Sequence, residues 1–436
     1  MNTFLIAVLS LIGFTAIPDQ HTTLVYPPYG HCMGIYRAGQ DQLNMLLGGM
    51  LTFNDPQGLA AVLPDEWDSP EVGDDDELAV YGVNSGSGHI IYNASMYTLG
   101  YYGGSGSGND QLSSPHGIAA TTDGTVYVAD TGNGRVAVLK RRGQRISPQS
   151  FIEGFIEPWD VALDGRYIWV TDREAGILSR YDSPEDTDPL QIELNMPRGV
   201  AATGYGAYTN GHEPCQVVIT DDGSRLLRLE DGDVTGTAEL SDCGGSFFNY
   251  VELDYHGNAW VTDSVKCVIH KFDPDLNYLD SWGRGYGDAD DQFMHPTGIA
   301  IWDRFGQIFI AESSGARYFW VGTDIRGPGF TSNGQGCTVS GILTETATMI
   351  VNVKDSEGSM VRNLYAGRRS PGYFSLQWNG RTLQDMGVPS GEYILEIDIE
   401  PVYSSRTYFE KNWTRTFHME DTGSEIQEID PERSRI

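Results

Sequence analysis

The stretch Ser114–Leu139, SPHGIAATTDGTVYVADTGNGRVAVL, carries a histidine (His116) and a carboxylate (Asp130) on short apolar runs separated by glycine turns. An imidazole beside a carboxylate is common equipment for general acid–base catalysis, and histidine is a frequent metal ligand. Such a pair is chemistry if it occurs once and architecture if it recurs. Asp130 recurs: VYVAD, IWVTD, VVITD, AWVTD and IFIAE end at Asp130, Asp172, Asp221, Asp263 and Glu312, spaced 42, 49, 42 and 49 residues apart. An acid present in nearly every copy does not mark one active site. It is expected to accept backbone N–H groups of the turn that follows it, with Arg135 and Arg317, five residues on, as partners in two copies. His116 does not recur. It occupies a position, between a proline and a glycine, that varies from copy to copy: Gln57, His116, Trp159, Arg198, Asn249 and Thr297.

The elements that must position these residues follow from the repeat. Pro-x-Gly and an apolar run appear as DPQGLAAV, SPHGIAAT, MPRGVAAT and HPTGIAIW, with Asp160 replacing the glycine in EPWDVALD and a degenerate copy, FNYVELDY, at Phe248. A period of 40 to 50 residues built of short strands and turns signals a propeller or solenoid. In the cleanest copy, Gly117–Thr121 is the first strand and Asp123–Gly124 the hairpin turn. Val126–Asp130 and Arg135–Leu139 follow, and a less regular fourth strand leads to a Gly-rich connector. Six copies are countable. The segment Thr22–Leu51 precedes the first of them and is expected to close the ring by supplying the outermost strand of the last copy, which begins at Pro296.

This pattern resembles the NHL repeat, over about Asn54 to Asp324, and the resemblance implies an all-β fold with a six-bladed β-propeller in residues 22–335, of which 22–53 are closing strand and connector. It also implies that the variable positions open at one mouth of the channel, so Gln57, His116, Trp159, Arg198, Asn249 and Thr297 are expected to form a ligand-binding ring. Trp159 and Arg198 are its strongest pair, an aromatic face beside a bidentate donor. NHL-like propellers include peptidyl-amidoglycolate lyases, which hold a metal with histidines from several blades. Here one ring position of the six is histidine, whereas a catalytic zinc normally takes three protein ligands. No Ser or Cys triad and no GxSxG is visible.

After Thr344 the composition changes to alternating strands with turns every eight to twelve residues, the pattern of a small β-sandwich. The string WNGR…VPSGEY, Trp378 to Tyr393, resembles the FlgD-type Ig-like domain found at the C-termini of exported bacterial proteins. An Ig-like sandwich is expected over 342–418, followed by a polar tail, 419–436, expected to be disordered.

Sixty acidic against 28 basic residues give a formal charge of −32, which opposes nucleic-acid binding, because that affinity comes largely from Lys and Arg on phosphates. The apolar run Phe4–Phe14 is too short to span a bilayer and long enough for a signal-peptide core. Residues 1–16 are therefore expected to be a signal peptide and the protein to be secreted or on the cell surface. Five cysteines allow two disulfides, one of them among Cys215, Cys243 and Cys267. DPDLNYLD, from Asp273, begins like a calcium loop but lacks its sixth-place glycine and twelfth-place glutamate, and falls where a hairpin is needed. No cofactor is predicted, and Ca²⁺ at Asp74–Glu77 or Asp288–Asp291 has no motif behind it.

The expectation is an exported binding or assembly module whose propeller mouth recognises a protein, peptide or glycan, with the Ig-like domain as spacer, attachment or sorting element. The alternatives are a metal-dependent lyase or lactone hydrolase on the same scaffold, and a structural subunit of a surface layer or filament.

Overall fold

The computed structural model describes residues 14–15, 21–67, 78–203 and 216–420. Apart from Phe14 and Thr15, the expected signal peptide lies outside them, as do Cys215, Asp74–Glu77 and the tail beyond Glu420. The chain forms two compact units, Thr23–Gly322 with Tyr403–Ser405, and Thr323–Val402 with the flanking terminal segments.

In the first unit, the described residues form six sheets. One runs Ile118–Ala120, Thr125–Asp130, Arg135–Arg142, Arg145–Glu153, each strand antiparallel to the next. Four others repeat that order from Pro56–Val62, Pro158–Leu163, Pro197–Ala202 and Phe248–Leu253. In the sixth, Ile299–Trp302, Gln307–Glu312 and Gly315–Val321 are completed by Leu24–Val25, paired outside Gly315–Val321, with Arg37–Ala38 on the same strand. The arrangement is that of a β-propeller. Second strands such as Thr125–Asp130 are buried along nearly their whole length, so both faces of each sheet are covered and their sequences read as continuous apolar runs.

First strands meet backbone to backbone around the axis. The amide of Gly58 donates to His116 O (2.9 Å), that of Gly117 to Trp159 O (2.9 Å) and that of Gly298 to Gln57 O (3.2 Å). The last of these joins the sixth sheet to the first. A Cβ on Gly298 would lie 2.3 Å from Gln57 O, and one on Gly117 2.0 Å from the Asp160 carboxylate. The recurring glycine is therefore a requirement of close approach. Threonines in the VTD and ITD strand ends add to the ring: Thr171 Oγ1 donates to Arg198 O (2.6 Å) and Thr220 Oγ1 to Asn249 O (2.9 Å).

The second unit packs two sheets. One has the order Phe409–Met419, Gly391–Pro401, Ala347–Asp355, Met360–Arg369, with Phe14–Thr15 at its edge. The other joins Ile325–Ser332, Cys337–Leu343 and Gly372–Trp378. Val339, Val351, Phe374, Leu395 and Ile397 fill the space between them. The WNGR…VPSGEY string is a corner of this core: Trp378 Nε1 donates to Arg381 O (2.8 Å), Tyr393 Oη donates to Pro389 O (3.0 Å), and their rings pack 5.6 Å apart. The boundary differs from the expected 335 and 342. Ile325–Ser332 continues without a linker into a hairpin with Cys337–Leu343, which assigns that Gly-rich stretch to the sandwich.

Candidate functional site

The strand-end acids are built into the scaffold. Asp130, fully buried, accepts from Ser113 N (2.7 Å), Asn133 Nδ2 (2.8 Å) and Arg135 Nε (2.7 Å). Asp172 accepts from Ile156 N and Glu157 N, Asp221 from Asn195 N, Asp263 from Ser246 N and Phe247 N, and Glu312 from Met294 N. The shared partner is thus the connector entering the same sheet, 15 to 26 residues earlier. Bonds to the turn that follows occur at Asp172, to Ala175 N, and at Asp263, to Val265 N and Lys266 N. Arginines answer the acids in three sheets: Arg135, Arg317 and also Arg225 on Asp221.

The variable positions follow the carbonyls just described around the axis. The His116 and Trp159 rings stack with centroids 3.8 Å apart. The guanidiniums of Arg173 and Arg198 lie 4.2 and 4.8 Å from the Trp159 ring, and that of Arg198 is also 5.0 Å from Phe247. Arg173 is neutralised by a two-pronged ion pair with Glu157. Arg198 has no ion-pair partner among the described residues, and both its Nε and the Nε1 of Trp159, a residue 8% exposed, lack hydrogen-bond partners. Burial, with Arg173 beside it, lowers the pKa of Arg198. Burial likewise lowers that of His116 to about 4, so its imidazole is neutral at pH 7, with Nδ1 2.9 Å from Ser114 O and 3.0 Å from Thr131 Oγ1. Gln57 receives the Tyr250 hydroxyl on Oε1 (3.1 Å) and donates from Nε2 to Asp55 (2.7 Å). Thr297 spends its hydroxyl on Pro56 O (2.8 Å) and Asn249 is buried. His116, Trp159 and Arg198 therefore pack side chain against side chain, whereas Gln57 is engaged with Tyr250 and Asp55 and Thr297 joins sheets.

Two residues at the recurring glycine position, Asp160 and Tyr250, reach across to other sheets instead. Asp160 accepts from Val161 N (2.9 Å) and from Val200 N of the next sheet (3.1 Å), and burial raises its pKa to about 7. Tyr250 spans from the fifth sheet to Gln57 of the first. Burial raises the pKa of Glu252 and of Asp303 well above the usual carboxylate range, and Asp303 beside Glu252 adds to the rise there. Sequence reasoning missed Tyr250, Glu252, Asp303 and Arg173. The signal for Tyr250 was the departure from Pro-x-Gly at FNYVELDY.

DPDLNYLD is the expected hairpin, with Asp273 Oδ1 accepting Asp275 N and Asn277 N. Among the described residues no three His, Cys, Asp or Glu side chains are grouped to hold a metal ion. Cys243, Cys267 and Cys337 are free thiols, so Cys243 and Cys267 do not pair with each other, and Cys215, the third cysteine of the expected group, lies outside the described residues. No helix there is long and apolar enough to cross a membrane.

Comparison with curated proteins finds no match. Among solved structures, the chain is similar to a streptogramin B lyase (12% identity, 62% of this chain and 94% of that one, TM-score 0.43). It is also similar to a gluconolactonase from Xanthomonas campestris (13%, 68% and 98%, TM-score 0.43) and to virginiamycin B lyase from Staphylococcus aureus (14%, 57% and 78%, TM-score 0.41). The NHL repeat family matches residues 112–139, and the FlgD Ig-like domain family matches residues 327–400. The chain thus carries an NHL repeat in its propeller and a FlgD Ig-like domain after it.

Proposed function

We propose that this is an exported or cell-surface binding module whose propeller mouth takes an acidic group of a protein, peptide or glycan, while the Ig-like domain serves as spacer, attachment or sorting element. The observation that carries the reading is Arg198: a guanidinium with no ion-pair partner among the described residues, between Trp159 and Phe247, in a protein of formal charge −32. An arginine fork beside an aromatic face suits a carboxylate, sulfate or phosphate borne on a flat apolar or sugar ring.

The test is a screen of the full-length protein on glycan and acidic-peptide arrays, followed by titration of the best hit. Acidic ligands are expected to dominate, and Arg198→Ala to weaken the hit at least about tenfold, with Arg198→Lys restoring little of it because lysine lacks the planar fork. Hits that are neutral, or equal binding by wild type and Arg198→Ala, would overturn the reading.

A further inference from the structure

The rim around Arg198 is apolar on one side only. Each connector reaches its sheet just before a variable position and is held there by a side chain at the end of the second strand. Into the third, fourth and fifth sheets these connectors bring Ile156, Met196 and Phe247, next to backbone amides bound by Asp172, Asp221 and Asp263. Ile156 and Met196 are 63% and 41% exposed. Val265, 65% exposed, joins them from the turn after Asp263, which binds the amides of both Val265 and Phe247. Into the first and second sheets the corresponding positions bring Asn54 with Asp55 and Ser113 with Ser114, held in the same way by Asn84 and Asp130.

The apolar side is also the side of the arginines. Arg173 is spent on Glu157, and Arg198 keeps a charge that no described residue pairs. A single exposed apolar side chain is ordinary, but a set of them at corresponding places in consecutive sheets, beside an unpaired cation, is the make-up of an interaction surface. Its chemistry narrows the partner. Aliphatic and thioether side chains gain from being covered by apolar groups, and they offer the hydroxyls of a sugar no donor and next to no acceptor. The formal charge of −32 repels a polyanion, whereas one carboxylate set among apolar groups meets both the arginine and its surroundings.

We infer that the mouth takes a polypeptide segment off centre, over the third to fifth sheets, in which one Asp or Glu is flanked by large apolar residues. Its carboxylate lies on Arg198 and its flanks on Ile156, Met196 and Val265. The inference rests on the function proposed above and narrows it from any acidic group to this class of peptide.

The experiment is selection, on the immobilised full-length protein, from two end-capped heptapeptide libraries with randomised flanks, one with a central glutamate and one with a central glutamine. Heparin-derived oligosaccharides are titrated in parallel. Wild type is expected to retain the glutamate library and to enrich Leu, Ile, Met and Phe beside the glutamate at least about fivefold over Ser and Asn. In the triple variant Ile156→Ser, Met196→Ser, Val265→Ser that preference should fall below about twofold. Retention of glutamate peptides without an apolar preference, the same preference in the triple variant, or binding of the oligosaccharides alone would overturn the inference and leave the acidic-group reading standing. Equal retention of the glutamate and glutamine libraries with no oligosaccharide binding would overturn both. The preference shown by wild type decides the matter even if the variant fails to fold.

Discussion

Asp130 and Asp160 are both buried carboxylates near the propeller axis, yet their surroundings set them opposite tasks. Asp130 faces an arginine, an amide side chain and a backbone N–H. Replacing it with alanine strands Arg135, whose side chain is 12% exposed, and the expected loss is about 3 kcal/mol in urea unfolding. Asp160 has two backbone N–H groups and, among the described residues, no ion-pair partner, and its folded pKa of about 7 stands above the 3.8 of an ordinary aspartate. Between those values the native state binds the extra proton. The contribution is therefore complete below about pH 3.8 and is lost as pH rises through 7, by up to about 1.4 kcal/mol per pH unit. Asp160→Asn should remove that slope, so the gap in urea-unfolding free energy between variant and wild type widens in the variant's favour from pH 5 to pH 8. A constant gap would refute the assignment. At this scale the sequence displayed the acids through their recurrence. It did not display whom they hold, because a connector up to 26 residues back leaves no periodic mark. Trp159 and Arg198 were legible as variation at one repeat position, whereas Arg173 reaches Trp159 from the turn after the second strand.

First strands close the ring only where a side chain is absent or finds a use across the gap. Gly298 illustrates the first case: a methyl group there would sit 2.3 Å from Gln57 O and force the sixth and first sheets apart. Gly298→Ala is expected to cost about 1–3 kcal/mol, the range of an overpacked core. Gly391→Ala, with open space around its Cβ, should leave stability within about 0.5 kcal/mol of wild type. Equal effects from the two in chemical denaturation would show that the close approach is not under strain. Asp160 and Tyr250 are the second case, filling the glycine's place with a carboxylate that bonds Val200 N and a phenol that bonds Gln57. The repeat period and the order of strands were readable because the second strands are buried on both faces and the strands are bounded by turn residues. The departures at Asp160 and Tyr250 were readable as departures, but the partners they reach, Val200 N and Gln57, belong to other sheets.

The two units each carry a core of their own residues. Val339, Val351, Phe374 and Leu395 belong to the sandwich, while Leu24, Ile310, Phe319 and Val321 close the sixth sheet of the propeller. Ring closure through Leu24–Val25 was legible because the segment before the first repeat had no other place in the count. The sandwich boundary was not, since Ile325–Ser332 has the glycine and proline of a linker and becomes a strand through pairing with Cys337–Leu343. Leu24 pairs with Val321 and is 2% exposed, so Leu24→Asp places an unpaired charge in an apolar cluster and should cost several kcal/mol. A chain with two cores is expected to depart from two-state unfolding. Calorimetry of the full-length protein should therefore show two transitions, with Leu24→Asp lowering the larger one, from the propeller, and leaving the sandwich transition in place. A variant in which both transitions fall together would mean that the units unfold as one body and that the N-terminal strand supports the whole chain.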